Sequence, residues 1–395
     1  MIGPIRLKSK ISEIPRLFKL YGLNKFVYMV LFEIKCKIFF NHTENFEIVD
    51  EPFRQNQVQL HYINDVVMGH VKIINDLSGS DFTNNVGVRN ASSNIFRVYQ
   101  LTMPKLVGVD ALPTIGQKYF IQHFENEEQA IARIRYNQSG SPFYISTRHI
   151  RNKKMLNGNY LRLINRKYNY FHYLTEQVVK IYYVSKITDD FKIIVDPPYY
   201  QYHRDIHDLI DYDIVEHTDG LRVQNLFEID FPLLEPRGLE FIRSYFTSRL
   251  TEVSQSPTHD LVFCKRFGRR KIVNAEEIIS KIEELGLDVV SLDLANLPLE
   301  DEIRLMQNTR GLIGAHGAGL ASMIWGQDLS IFEVFGNRRP VVYKAMSRIL
   351  KHNYSPIFGV STGHGGFHDD IYADGQDIVE AITNSSFFEG GGSNC

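Results

Sequence analysis

The feature that most constrains the fold is the segment of residues 310–335, which reads RGLIGAHGAGLASMIWGQDLSIFEVF. Two apolar runs in it, residues 311–315 and 329–335, are too short for helices and are bounded by glycine or polar residues, as is typical of buried strands. Between them lie a glycine-rich turn (residues 316–319) and a small-residue helix start (residues 320–325). The order strand, turn, helix, strand predicts an α/β fold and puts the turn where such folds bind phosphate groups.

The residues of this turn exclude the two common phosphate-binding motifs. In a G-x-G-x-x-G dinucleotide fingerprint the middle glycine lets the pyrophosphate reach the backbone, and here His316 stands in that place. A P-loop needs lysine after its last glycine, and Leu320 follows Gly319. An imidazole on such a turn can instead donate a hydrogen bond to a phosphate oxygen, together with the first N–H groups of the following helix. A histidine with a purely structural role is the alternative.

A carboxylate, Glu333, lies near the end of the next apolar run. At the carboxyl end of a parallel strand, one βαβ unit beyond a phosphate-binding turn, a carboxylate is well placed to accept the hydroxyl groups of a ribose. The pattern therefore makes Glu333 a candidate for nucleoside binding. An ordinary solvated acid at a strand end is the alternative.

Composition sets broad limits on function. The chain has 395 residues, enough for two domains, and its net charge of −2 gives no reason to expect a nucleic-acid partner. Its three cysteines, Cys36, Cys264 and Cys395, form neither a disulfide framework nor a C-x-x-C metal pair.

The N-terminal region bears on location. Charged residues are mixed throughout it, so no signal peptide is recognised. The most apolar segment, residues 17–40, is interrupted by charges, and its longest uncharged run, residues 26–32, is far too short to span a membrane. Its lysines among aromatic residues allow contact with an anionic membrane surface, and a domain helix is the alternative. We therefore predict a cytoplasmic protein, with peripheral contact at the inner face of a membrane as a variant.

The pattern along the chain predicts two lobes with a cleft between them. Residues 1–50 are interpreted as a helical lead-in, and residues 51–253 as an N-terminal lobe that begins β-rich and changes to α/β alternation. A polar linker, residues 254–258, precedes a C-terminal lobe, residues 259–365, in which strands and helices alternate regularly. Residues 366–395 supply a last helix and a flexible tail. Regular alternation predicts a parallel sheet covered on both faces.

A second cluster of polar residues follows an earlier predicted strand. Residues 265–271, KRFGRRK, place five cations on one strand-to-helix loop. The guanidinium groups of Arg266 and Arg270 match the geometry of phosphate oxygens. Because parallel strands present such loops at one edge of the sheet, we expect the loop to lie beside His316. A solvated basic loop is the alternative.

These motifs together carry a family resemblance. The residues concerned are Tyr170-Phe171-His172-Tyr173-Leu174, Arg266, Arg270, Ile272, Asn274, Ile303, Gly314, the run HGAGL at residues 316–320, and Glu333. With them the chain resembles glycosyltransferase family 61, which includes plant arabinosyl- and xylosyltransferases and animal enzymes that add N-acetylglucosamine to proteins. The resemblance spans roughly residues 168–380. One departure is Glu302, where the family usually has glutamine.

The resemblance implies a GT-B fold and an inverting transfer from a nucleotide sugar, most often UDP-linked (UDP-xylose or UDP-N-acetylglucosamine), without a required metal. The C-terminal lobe would bind this donor, and the N-terminal lobe would bind a glycan, glycolipid or glycoprotein acceptor; the lack of a signal peptide favours a glycan assembled on the cytosolic side. The implied ligands of the donor diphosphate are Arg266, Arg270, His316, Gly317, Ala318 and Gly319. Those of the nucleoside are Asn274 and Glu333.

An inverting displacement needs a general base on the side of the sugar opposite the diphosphate, and hence on the facing lobe. His172 and Glu176 are four residues apart at the start of a predicted amphipathic helix of that lobe. We interpret His172 as the base with Glu176 orienting it, or Glu176 as the base itself. The alternative is that His172 caps or packs the helix.

Other functions stay open at this point. A nucleotide-sugar epimerase and a catalytically silent nucleotide- or glycan-binding protein fit the same fold, whereas His316 disfavours a dinucleotide oxidoreductase. The pairs His203/His207 and His364/His368 have spacings seen in metal sites, but the sequence positions no third ligand for either.

Overall fold

The computed structural model describes residues 48–50, 71–78, 95–107, 112–115, 118–121, 155–163, 169–196, 200–218, 220–229, 234, 236–250, 259–363, 366 and 368–385. Several predicted features lie outside these residues: the lead-in before residue 48 with its segment 17–40, the linker 254–258, His364, and the tail after residue 385. In the part of the chain that is described, no helix combines the length and apolarity needed to cross a bilayer. The predicted cytoplasmic location stays a prediction.

The protein divides into two compact units. The first comprises Met1–Lys72, Gln100–Tyr160 and His217–Leu226, and the second comprises Ile73–Tyr99, Leu161–Glu216 and Phe227–Cys395. The predicted domain boundaries at residues 50, 253, 259 and 365 stay a prediction.

In the described residues strands come first, and from Tyr170 onward strands alternate with short helices. The strands are β1 (Ile48–Asp50), β2 (Val71–Ser78), β3 (Ile95–Thr102), β4 (Lys105–Val107), β5 (Leu112–Ile115), β6 (Lys118–Ile121), β7 (Met155–Leu163), β8 (Lys192–Val195), β9 (Ile214–Glu216), β10 (Leu221–Ile229), β11 (His259–Cys264), β12 (Val289–Leu292), β13 (Thr309–Ala315), β14 (Ser330–Phe335), β15 (Asn353–Phe358), β16 (Val360–Ser361) and β17 (Ile371–Tyr372). The α-helices are α1 (Tyr170–His172), α2 (Lys180–Ser185), α3 (Gln201–Leu209), α4 (Pro236–Thr247), α5 (Ala275–Glu283), α6 (Leu299–Gln307), α7 (Val342–Ile349) and α8 (Gly375–Thr383). A π-helix covers Tyr173–Val178, and 3₁₀-helices cover Leu294–Asn296 and Ala318–Trp325.

The first unit contains short, mostly antiparallel strands. Strand β1 runs parallel to β6, and β5 pairs in antiparallel fashion with both β4 and β6. The first residues of β10, Leu221 and Arg222, continue this pattern against β4. These strands fit the β-rich character of this part of the sequence.

The second unit contains a fully parallel sheet with the strand order β12-β11-β13-β14-β15. Successive residues of its central strand point to opposite faces: Leu312 joins a core cluster with Trp325, whereas Ile313 joins another with Ile278 and Ile378. Because both faces are covered, the strands carry the continuous apolar runs seen in the sequence. The predicted α/β class with a covered parallel sheet is confirmed.

The region from Tyr170 to Ser185 belongs to the same unit as this sheet, and its helix is not uniform. The sequence predicts one amphipathic helix, and the structure has α1, a π-helix and α2 in succession. The indole N–H of Trp325 donates a hydrogen bond to the hydroxyl of Tyr170 at 2.8 Å, and the ring of Phe246 meets Trp325 edge to face at 5.7 Å. The first contact fixes α1, and the second fixes α4, on the 3₁₀-helix Ala318–Trp325.

Candidate active site

The glycine-rich turn begins where β13 ends, and its glycines are needed for packing. The backbone N–H of His316 donates to the carbonyl of Val334 at 3.0 Å. A Cβ atom on Gly319 would lie 2.4 Å from the sulfur of Cys264, and one on Gly317 would lie 1.5 Å from Nη1 of Arg266. Glycine at these two places therefore lets the end of β11 and the guanidinium of Arg266 lie directly against the turn.

His316 is held by a buried carboxylate. Its Nδ1 atom lies 2.5 Å from Oε1 of Glu333, and the hydroxyl of Tyr354 donates to Oε2 of the same carboxylate at 2.6 Å. The Glu333 side chain is 0% exposed and that of His316 is 12% exposed. The Glu333 carboxylate accepts the Nδ1 proton, and only a ring that carries a second proton on Nε2, as an imidazolium paired with Glu333, can also donate from its other side to an anion. Burial, and next the charge of Glu333, raises the pKa of Tyr354.

The same geometry bears on the predicted contact of Glu333 with a ribose. Both of its oxygens are engaged within the protein, and no part of its side chain reaches the surface. A nucleoside role does not fit this burial. The structure instead makes Glu333 the residue that orients His316.

The arginine loop lies beside this turn. Nε of Arg266 donates to the carbonyl of Arg269 at 3.1 Å, and Arg270 has a left-handed backbone with φ of 61°. Burial lowers the pKa of Arg270, and the neighbouring charge of Arg266 lowers it further. A non-glycine residue at positive φ is strained, which is a frequent feature of functional loops. Two cations held this close favour an anion between them.

A small surface pocket joins the two clusters. Arg270 and His316 both line it, so the structure brings together the two residues that the sequence places on one edge of the sheet. The rest of its wall consists of Gly336, Asn337, Arg338, Ser361, Gly366, Asp369 and Ile371. Two guanidinium groups, Arg270 and Arg338, against one carboxylate, Asp369, leave the pocket with an excess of positive charge, which favours an anion.

His172 forms the second pair of an imidazole and a carboxylate. Its Nδ1 atom bonds to Oε1 of Glu176, and its backbone N–H donates to the side chain of Asn169 at 3.1 Å. The His172 side chain is 46% exposed, whereas that of Glu176 is 3% exposed. Burial raises the pKa of Glu176, while the bond to His172 and the charge of Lys180 act in the opposite direction. The pair thus presents an accessible ring held by a buried acid.

Two aromatic side chains, Phe171 and Tyr343, lie between the two pairs. The ring of Phe171, next to His172, has its centroid 5.4 Å from that of Tyr343, and the Tyr343 ring is 5.2 Å from that of His316. Tyr343 is buried, and burial raises its pKa, followed by the charge of Glu333. The predicted base and the predicted phosphate ligand therefore belong to one cluster.

Asn274 and Glu302 are also singled out by the sequence; Asn274 is half-buried and bonds within the protein, and Glu302 is buried. The Asn274 amide donates to the carbonyl of Ala373 at 2.8 Å and accepts from the N–H of Ala373 at 3.3 Å. Although Asn274 precedes α5, its side chain makes no capping bond. Its predicted nucleoside contact stays a prediction. Glu302 is buried beneath Tyr170 and Ser322, and burial raises its pKa to about 7.

Of the two histidine pairs with metal-like spacing, His203/His207 lies among buried side chains, and His364 of the other pair lies outside the described residues. Nε2 of His207 lies 2.8 Å from the hydroxyl of Tyr173, and burial lowers the pKa of His207 to about 4. His203 is fully buried, and burial lowers its pKa to about 3. In the described part of the chain, no group of three or more His, Cys, Asp or Glu residues could hold a metal ion.

Some residues of the site could not be found from local motifs. Tyr343 and Tyr354 flank His316 and Glu333 in space but lie in a helix and a strand without a recognisable motif. Lys180, buried behind Glu176, has the appearance of an ordinary helix residue in the sequence. The only sequence signal for the two tyrosines is the broader family resemblance of that region.

Part of the chain matches known proteins. Residues 170–331 match the family model described as Glycosyltransferase 61. A protein of Drosophila melanogaster named EGF domain-specific O-linked N-acetylglucosamine transferase is 30% identical over 129 residues, which are 30% of this chain and 25% of that protein. The chain thus aligns with a quarter of that relative's length.

Two solved structures of glycosyltransferases also align with the chain. The dodecameric iron-containing heptosyltransferase TibC in complex with ADP-D-beta-D-heptose is 12% identical, with a TM-score of 0.31 over 55% of this chain and 66% of that chain. A structure of TibC from enterotoxigenic E. coli H10407 is 13% identical, with the same TM-score and coverage.

Proposed function

Residues 170–331 of this chain belong to the glycosyltransferase 61 family, and from that premise we propose that the protein transfers a sugar from a nucleotide sugar to a hydroxyl group. The observation that carries the proposal is the cluster in which Arg270 and His316 line one pocket and the rings of Phe171 and Tyr343 connect His316 to His172. Cations and turn amides suit a departing diphosphate, and an oriented imidazole suits a general base.

The finer proposal is an inverting, metal-independent transfer from a UDP-linked sugar within a GT-B arrangement. N-acetylglucosamine is favoured as the sugar because the Drosophila relative is named as an N-acetylglucosamine transferase, and UDP-xylose is the second candidate. The acceptor is proposed to be a hydroxyl of a glycan, glycolipid or glycoprotein. Arg266 and Arg270 are proposed to neutralise the diphosphate in place of a metal ion, so chelation with EDTA should leave the rate unchanged.

The proposed step is a single in-line displacement. The acceptor oxygen bonds to the anomeric carbon as the bond between that carbon and the diphosphate oxygen breaks. The acceptor proton passes to Nε2 of His172, whose Nδ1 is held by Glu176. The electron pair of the broken bond leaves on the diphosphate, which Arg266, Arg270 and the turn of His316 stabilise.

The test is a panel of UDP-, GDP- and CMP-sugars and NAD, first by thermal shift and then by turnover. Specific binding raises stability by mass action, so a UDP-sugar should raise the melting temperature. Release of UDP that depends on an added acceptor supports transfer. An isomer formed from donor alone indicates the epimerase, UDP binding without turnover indicates a silent binding protein, and a shift with NAD alone would overturn the proposal.

Gly317→Ala should weaken UDP binding about tenfold or more without unfolding the protein. The new Cβ would lie 1.5 Å from Nη1 of Arg266, so that guanidinium must leave the turn. Because Nη1 is the end of a flexible side chain, and Gly317 has an extended backbone, stability should change by less than about 0.5 kcal/mol. Titration calorimetry with UDP and thermal unfolding measure the two effects.

A matched variant on the same turn separates binding from packing. Gly319→Ala meets the sulfur of Cys264 at 2.4 Å and should destabilise the fold instead. Adding Cys264→Ala removes that sulfur and should restore stability. Parental UDP affinity in Gly317→Ala would contradict the placement of the diphosphate under Arg266.

A further inference from the structure

A group of buried charged residues lies behind the exposed ring of His172. Arg162 on β7, Glu228 on β10, Glu176 on the π-helix and Lys180 on α2 are each less than 10% exposed. Removing four charges from water is costly, and packed apolar residues of similar size would often be more stable. The group therefore calls for a role other than stabilising the fold.

Three contacts hold the members of the group and the candidate base in place. Nε of Arg162 lies 2.6 Å from Oε1 of Glu228, and Nζ of Lys180 donates to Oε1 of Gln177 at 3.0 Å. Glu176, next to Gln177 and four residues before Lys180, bonds to His172, whose ring is accessible. With His172 neutral, the positive charges of Arg162 and Lys180 equal the negative charges of Glu176 and Glu228.

Lys180 is the member whose charge acts on both carboxylates. Burial lowers the pKa of Lys180 to about 8, and the charges of Glu228 and Glu176 oppose that shift, whereas Arg162 reinforces it. In the other direction, the Lys180 ammonium counteracts the burial that raises the pKa of Glu176. Loss of the ammonium would raise the proton affinity of the Glu176–His172 pair.

We propose that Lys180 is a positioning residue for the proposed transfer: its buried ammonium keeps Glu176 ionised, so that Glu176 accepts the Nδ1 proton of His172 and Nε2 stays available as the base. This proposal rests on the proposed function. In this proposal, the buried charges of Arg162, Glu228 and Lys180 set the pH range in which His172 can act as a base.

Lys180→Met should move the acidic limb of the kcat/KM profile to higher pH. Without the ammonium, the His172–Glu176 pair binds its proton more tightly, so the rate should fall about tenfold near pH 6.5 and recover toward the parental rate above pH 8.5. A loss of equal size at every pH would mean a purely structural role and would overturn the proposal. Lys180→Arg keeps the charge and should keep the parental limb.

A double variant tests charge against shape. Lys180→Met combined with Glu228→Gln restores the balance of one cation and one carboxylate, so the limb should return toward its parental position. Gln177→Met removes the hydrogen-bond partner of Lys180 without changing charge, and the limb should stay in place. A double variant no different from Lys180→Met alone would contradict an electrostatic role.

A readout without substrate keeps this test separate from the proposed function. The His172 ring can be followed by NMR in the donor-free protein, with its signal assigned from His172→Gln. The titration midpoint should be higher in Lys180→Met than in the parent even if no sugar is transferred. An unchanged midpoint would overturn the proposal for Lys180, whereas absent turnover with a moved midpoint would overturn only the proposed function.

Discussion

Replacing His316 with alanine should slow sugar transfer about 10²–10³-fold, the usual cost of removing one donor to a developing negative charge. The ring lies on the turn at the end of β13 and lines the cationic pocket with Arg270. It is also packed between the rings of Phe335 and Tyr343, at centroid distances of 5.9 and 5.2 Å. Its position is therefore fixed before any substrate arrives, which is what makes such a donor effective.

The partner of His316 supplies the matched comparison. Glu333→Gln keeps an oxygen that can accept from Nδ1 of His316 but removes the charge, so its rate should lie between those of the parent and His316→Ala. Tyr354→Phe removes only the hydroxyl that donates to the other oxygen of Glu333 and should cost much less. Steady-state kinetics with the UDP-sugar, and circular dichroism as a control for folding, measure the series. A full rate in His316→Ala would exclude the ring from the leaving-group site.

The turn itself could be predicted because its signals are local. Apolar runs of strand length with glycines between them fix β13, the turn and β14 with little help from the rest of the chain. Parallel strands then bring their carboxyl ends to one edge, which is why Arg270 and His316 could be expected to meet. The sequence could not show that Cys264 and Arg266 pack against Gly319 and Gly317, because those residues lie about 50 positions away.

The burial of Glu333 could not be predicted from the strand pattern alone. The sequence places it near a strand end, but its backbone position pairs with Gly314, and β14 continues to Phe335. A side chain two residues inside a central parallel strand is covered by the layer above it rather than presented at the edge. Its burial follows from register and from Tyr354 on the neighbouring strand, neither of which is written locally in the sequence.

The helical segment that carries His172 and Glu176 was also only partly predictable from the sequence. A spacing of four residues predicts that His172 and Glu176 share a face, and the two side chains do bond. The π-helical turn at Tyr173–Val178 was not predictable from periodicity, because it depends on packing against distant residues. Such turns are frequent at functional sites, so this departure from a regular helix falls where function is proposed.

Glu302→Gln should stabilise the protein by about 2–4 kcal/mol at pH 8, a large effect for one substitution. Glu302 is buried on α6 beside Tyr170, Ser322 and Trp325, and burial raises its pKa to about 7. An acid whose pKa is higher in the folded state than in the unfolded state binds its proton more tightly when folded, so it weakens the fold once the pH exceeds both values. Glutamine, the usual residue of the family at this position, keeps the shape and avoids the charge.

The sign of the pH dependence makes this prediction specific. Below about pH 4.5 Glu302 is protonated in both states, and parent and variant should have similar free energies of unfolding. The advantage of Glu302→Gln should grow between about pH 4.5 and 7 and then level off. Denaturant unfolding at pH 4.5, 6 and 8 measures it, with Glu300→Gln on the exposed face of the same helix as the control. An advantage that is absent at pH 8, or equal at all three values, would mean that Glu302 is not the buried, readily protonated acid described above.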